Sequence, residues 1–220
     1  LHQLLRHHGP AQNVAQRVFN WLMGTIEYHP AGKDPKRVIC FSPHPDDDVI
    51  SMGGTLIRLV EDAHETHIAY MTSGNIAVFD HDAARVADFV TEYNRMFGIE
   101  SDRTRQIESA VLESFRNKQP GQPDIEDVLK IKGLIRWSEA KFGAFKVGCK
   151  EEHLHFLDLP FYRTGTIAKK PIGDEDVQII YELLRRVNPQ QVYLAGDLSD
   201  PHGTHRVCAQ AILRALLRIE

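Results

Sequence analysis

Cysteine is scarce in this chain. There are three in 220 residues, Cys40, Cys149 and Cys208, with no CxxC pair among them. An odd, scattered set excludes a disulfide frame and a thiolate metal knot; it reads as small apolar core residues in a reducing compartment. A basic excess is missing too. The net charge is −4, which argues against nucleic acid as the main partner. No apolar run approaches the ~20 residues needed to cross a bilayer, so no membrane segment is expected. The first residue is Leu1 rather than Met, and no charged stretch followed by an apolar one opens the chain, so no signal peptide is expected. The expectation is a piece of a longer protein, bounded at Leu1 and, within a helical pattern, at Glu220. With no targeting signal and free thiols, the expected location is cytoplasmic. GxGxxG and GxxxxGK are absent, which makes a dinucleotide or P-loop reading weak; Gly53-Gly54 is read instead as allowing close helix–sheet packing. Ser42, Ser51 and Ser73 lie in no GxSxG elbow, so a serine hydrolase is not expected.

Hydrophobic residues make up 42% of the chain, enough for a substantial core. Residues 1–35 read as a linker or N-terminal helical extension. Val14, Val18, Trp21 and Leu22 fall at helical spacing within about 10–27, and Pro30, Gly32 and Pro35 break the pattern. Short apolar runs at Val38–Phe41, His67–Ser73, His153–Leu159 and Gln191–Ala195 predict four strands. Amphipathic stretches between and after them predict helices over 49–60, 80–125, 125–147 and 174–187, with a last one through Val207 and Leu217. Residues 117–124 read as a loop. Phe89, Tyr93, Met96 and Phe97 are expected as an inner stripe. Strands alternating with helices predict an α/β fold: a Rossmann-like, mostly parallel sheet with helices on both faces.

In such sheets the site lies beyond the carboxyl ends of the strands. Two loops at such ends concentrate histidines and carboxylates. One is Ser42-Pro43-His44-Pro45-Asp46-Asp47-Asp48. The other is Asp197-Leu198-Ser199-Asp200-Pro201-His202-Gly203-Thr204-His205. Three consecutive carboxylates repel one another unless a cation sits among them. Capping of a helix N-terminus explains Asp48 and one more, but neither His44-Pro45 nor the second cluster. His202 and His205, three apart at a helix start, are expected to face one crevice. His, carboxylate and His make a sound set for a catalytic zinc, which takes about three protein ligands and keeps one position for water.

Together these two loops resemble the PIG-L/LmbE-like N-acetylglucosaminyl deacetylases, whose signatures are an HPDD-type loop and a later HxxH. Thr72-Ser73-Gly74 and the RxxE-like Arg136-Trp137-Ser138-Glu139 add to the likeness, which covers about residues 36–220. The resemblance implies an LmbE-like domain there; the stretch from 76 to 130 departs from the pattern by its length and reads as a helical insert near 80–125 that covers the pocket. It implies His44, Asp47 and His205 as metal ligands, Asp46 as general base, and His202 stabilising the oxyanion or protonating the amine. Arg136 and Glu139 would support the pocket or the first loop. Asp48 stands where Glu is usual, and Ser73-Gly74-Asn75 where many members carry Gly-Glu, so Asp48 and Asn75 are further candidates for substrate or supporting contacts. The expected cofactor is Zn²⁺, with Fe²⁺, Co²⁺ and Mn²⁺ acceptable to the same donors. The chain further resembles the C-terminal part of bacterial glucosamine-6-phosphate deaminase-like fusion proteins. That implies an amino-sugar substrate and a deaminase-like domain N-terminal to this segment. The competing reading is a non-catalytic sugar- or metal-binding module for such a domain. The pocket rim is expected from residues 76–125 and 160–172. His153 and His155 are read as ordinary core or surface histidines. Lys169-Lys170 and Arg185-Arg186 are read as solvated pairs able to meet a substrate phosphate only if the fold brings them to the crevice.

Overall fold

A computed structural model describes residues 6–7, 9–24, 34–99, 101–166, 168–196 and 199–219. The chain divides into two units, Leu1–Asp34 and Pro35–Glu220. In the first, α1 spans Ala11–Gly24, within the expected stretch; residues 25–27 of that expectation lie outside the described ones.

The second unit holds the sheet. Strands β1 (Arg37–Ser42), β2 (Glu65–Tyr70), β3 (Leu154–Phe156) and β4 (Gln191–Leu194) are all parallel, in the order β3-β2-β1-β4. Alternation along β1 sorts the two faces. Val38 and Cys40 pack with Leu56 and Leu59 of α2 (Asp47–Glu61) and Ala140 and Ala144 of α5 (Glu126–Lys146). Ile39 and Phe41 pack with Ile180 and Leu183 of α6 (Asp174–Val187) and Cys208 and Ile212 of α7 (Thr204–Leu217). Helices therefore cover both faces, and central β1, buried on both, is apolar throughout its middle. Cys40, Cys149 and Cys208 are free and buried within these cores.

Between β2 and β3 run α3 (Asp80–Met96), α4 (Asp102–Asn117) and α5, with a small core of Ala87, Val111 and Val128. Three sequence expectations change here. The Phe89, Tyr93, Met96 and Phe97 stripe of α3 faces outward, with Met96 79% exposed. The inward face is the small Ala83 and Ala87. Helical spacing shows that four residues share a side of a helix, not which side meets the core. The third strand is shorter than expected; only Leu154–Phe156 is strand, although Leu157 and Leu159 still donate backbone hydrogen bonds to Tyr70 and Met71 (both 2.9 Å). Gly53-Gly54 does not mark tight packing, since a Cβ on Gly54 would meet nothing within 4 Å. The adjacent Met52 instead carries a kink in α2 (φ −145°, ψ 24°).

Candidate metal centre

Strand β1 delivers its chain to the crevice at Ser42, and the loop after it is fastened from below. Ser42 Oγ donates to the His44 carbonyl (2.5 Å) and accepts from the Asp48 backbone N–H (3.0 Å). Thr72, just past β2, donates its hydroxyl to the Pro43 carbonyl (2.8 Å). Asp48 points down, 2% exposed, and accepts from Tyr70 Oη (3.0 Å). Burial pushes its carboxyl up, against the opposing pull of Tyr70 and Ser42. Asp48 thus braces the loop underneath rather than facing the crevice.

The crevice side holds His44 and Asp47. Asp47 Oδ2 accepts from the His44 backbone N–H (2.8 Å) and lies 3.1 Å from His44 Nδ1. The second loop supplies His205 from the first turn of α7. Its backbone N–H donates to buried Asp200 (2.7 Å), while its Nε2 lies 3.2 Å from Asp47 Oδ2 and 3.3 Å from His44 Nδ1. The first-loop carboxylate and the two imidazoles, 161 positions apart in sequence, therefore converge on one point. Burial raises the Asp47 carboxyl, but hydrogen bonds from His44 and the two imidazoles bring it net below the usual range.

Two imidazole nitrogens and a carboxylate oxygen, each able to ligate a cation, converge at 3.1–3.3 Å. Ligand atoms around a tetrahedral ion with bonds of about 2.0–2.1 Å stand roughly 3.3–3.4 Å apart, so the spacing fits one metal ion.

His202 reaches the same crevice by another route than expected. It precedes α7 instead of sharing its face, and Gly203, in the left-handed conformation (φ 71°), turns the chain between the two histidines. The His202 ring stands 6.0 Å from the His44 ring, and its Nδ1 3.6 Å from Asp200 Oδ2. Asp46 lines the same pocket, held by Arg136 Nη2 at 2.7 Å; Arg136 Nη1 in turn meets Glu139 at 2.6 Å. The RxxE pair thus grips the first loop through Asp46. Asn75 opens a short 3₁₀ turn, Asn75–Ala77, and its Oδ1 is buried with no hydrogen-bond partner among the described residues. Asp197 and Leu198 of the second loop lie outside the described residues.

The pocket over the three ligands measures about 470 Å³. Clefts of about 540 and 850 Å³ exist elsewhere, so size does not select this one; the convergent ligand set does.

A profile of the PIG-L family, described as GlcNAc-PI de-N-acetylase, matches residues 39–216. The chain belongs to the PIG-L family. It is 47% identical over 231 aligned positions to a Bacteroides thetaiotaomicron protein named as glucosamine-6-phosphate deaminase-like, covering 98% of this chain and 35% of that protein. It is 25% identical over 128 positions to the diacetylchitobiose deacetylase of Thermococcus kodakarensis, covering 50% of this chain and 48% of that one. The chain thus spans about a third of the first relative's length and half of the second's.

Two pocket residues of this PIG-L chain carry no signal in the motifs. Tyr162 sits in a 3₁₀ turn after β3, its ring 6.2 Å from that of His44, and burial pushes its hydroxyl up to about 12. The end-of-strand rule that found the other two loops applies to it equally. Lys169 does not form the expected solvated pair with Lys170. Instead its Nζ sits 4.3 Å above the Tyr162 ring, in the pocket wall, while Lys170 is exposed. Burial lowers the Lys169 ammonium, and among the described residues no carboxylate pairs with it.

Proposed function

We propose that this chain is a zinc-dependent N-deacetylase that hydrolyses the N-acetyl amide of an amino sugar, releasing acetate. The observation that carries the reading is the convergence of His44 Nδ1, Asp47 Oδ2 and His205 Nε2 within 3.1–3.3 Å, beside a carboxylate that is not one of the three. The family and the deacetylase relative support the chemistry, and both relatives' names support an amino sugar. Zinc, held by these three side chains, would lower the pKa of water and polarise the amide carbonyl.

The residues around it divide the remaining work. Asp46, oriented by Arg136 and Glu139, takes the proton from water as its oxygen adds to the acetyl carbon. His202, partly exposed at the crevice mouth, donates to the oxyanion or to the departing nitrogen as the C–N bond breaks. The water proton ends on the amine, and acetate leaves. Lys169, a cation in the pocket wall, faces an anionic substituent of the sugar, consistent with a phosphorylated substrate.

Acetate release from N-acetylglucosamine and its phosphates, measured alongside bound metal, tests the reading. His205→Ala is expected to lose the metal of this site and all turnover. Asp46→Asn is expected to keep the metal and lose about 10²–10⁴-fold in kcat. If Asp46→Asn keeps the activity of the parent chain, Asp46 is not the base. If the parent chain binds metal and sugar but releases no acetate, the site is a binding module.

A further inference from the structure

A second histidine cluster lies at the other end of the sheet. Glu65 opens β2, paired in register with Arg37 at the start of β1, whereas the ligands above sit past the last residue of β1. At about 3.3 Å per residue, a six-residue strand keeps the two groups too far apart to share an ion. His67 is the hub. Its side chain is 8% exposed, and its Nε2 lies 3.0 Å from Glu65 Oε1. Its ring stands 4.3 Å from that of His153, in the 3₁₀ turn leading into β3.

We propose that Glu65, His67 and His153 form a second binding site for a borderline divalent cation of the Zn²⁺ class. One ligand atom from each lies within 4.8 Å of the others, so small side-chain rotations bring them to coordination spacing. Two imidazoles and a carboxylate suit Zn²⁺, Ni²⁺ or Cu²⁺ rather than Ca²⁺ or Mg²⁺. His155 supplies an independent reason. Its Nε2 lies 3.0 Å from His67 Nδ1 and holds the His67 ring with Nε2 aimed at Glu65; in the tautomer whose Nδ1–H donates to His155, His67 Nε2 is free to ligate. Such a contact to the far ring nitrogen is the usual companion of a ligating histidine. A simple hydrogen-bonded relay accounts for Glu65, His67 and His155 but gives no task to His153.

The surroundings agree. Glu65 and His153 both line a cleft of about 540 Å³ that gives an ion entry.

The test is zinc stoichiometry of the full chain after metal depletion, reloading and dialysis, in the parent, His153→Ala, His205→Ala and the double variant. The expected values are two ions, one, one and none. Zinc is also expected to raise the melting temperature of His205→Ala but not of the double variant. Glu65→Gln, at a half-exposed position, repeats the His153 loss without emptying the core. Stoichiometry unchanged by both His153→Ala and Glu65→Gln overturns the proposal, as does a His205→Ala variant that binds no zinc. A loss seen only with His153→Ala and not with His205→Ala would overturn the catalytic centre instead and leave this site standing.

Discussion

Asp47 Oδ2 gathers three nitrogens within 3.2 Å: the His44 amide, the His44 ring and the His205 ring. The two loops were legible in the sequence because they lie at the carboxyl ends of two strands adjacent in the sheet, while the choice of His44, Asp47 and His205 among their residues rested on the family resemblance. The roles of Asp46 and His202 likewise rested on the resemblance, although both residues belong to these two loops. Lys169 was not legible. Two adjacent lysines carry no information about which one turns inward, and here the Tyr162 ring selects one of them by offering a face 4.3 Å from its ammonium. The role proposed for Lys169 predicts a split between kinetic constants. Lys169→Gln is expected to raise KM about 10- to 150-fold for a phosphorylated N-acetyl amino sugar, a charge-assisted contact being worth roughly 1.5–3 kcal/mol. It should leave kcat, and KM for the unphosphorylated sugar, nearly unchanged. Equal losses on both substrates would remove the anion from the argument.

At the scale of elements, the existence of the four strands and of the helix α6 was readable, the latter because Asp174–Val187 carries an unbroken apolar stripe and an acidic first turn. The orientation of α3 was not, since its aromatic side lies outward over a face of small residues. The connection from β2 to the 3₁₀ turn at Asn75 holds a further constraint. Gly74 has φ 63°, and a Cβ there would stand 2.7 Å from Pro45 Cδ and 3.3 Å from Arg136 Nε. The glycine is what lets the first loop and the Arg136 clamp close on one another. Gly74→Ala therefore meets both left-handed backbone strain, about 1–2 kcal/mol, and a displaced Pro45. The expected result is a lower melting temperature and a loss in kcat on the order of 10²-fold, the cost of shifting a catalytic group by about 1 Å. A variant that melts lower but turns over normally would show that Asp46 does not depend on this closure.

At the scale of the whole molecule, the sheet carries histidine clusters at both ends while a ring of charge locks the helices inserted between β2 and β3. Lys118 meets Asp80 (2.8 Å) and Asp124 (2.6 Å), and Lys132, 3% exposed, meets the same two (2.6 and 2.7 Å). The ring joins the start of α3, the end of α4 and the middle of α5. Its sequence signature is invisible, for the four residues fall in three separate segments. Its effect on stability against pH has a defined sign. Burial raises Asp80, yet the two lysines bring it net below its ordinary value. A carboxylate depressed by folding stabilises above its unfolded pKa of about 3.9, and that contribution fades as pH falls through the lower folded value. Burial lowers Lys118, but Asp124 and Asp80 bring it net above its ordinary value. Its contribution is fully present below an unfolded pKa of about 10.4 and is lost only as pH rises through the folded one. From about pH 5 to 9 the ring's contribution is therefore expected to be flat. Urea midpoints of the parent chain and Lys118→Met should differ by a constant amount across that range, the variant being the less stable. The gap should narrow below about pH 4 as Asp80 takes up its proton. A gap that stays constant down to pH 2 would mean that Lys118 stabilises the insert through its contact with the Phe115 ring, 5.9 Å from its ammonium, and not through the carboxylates.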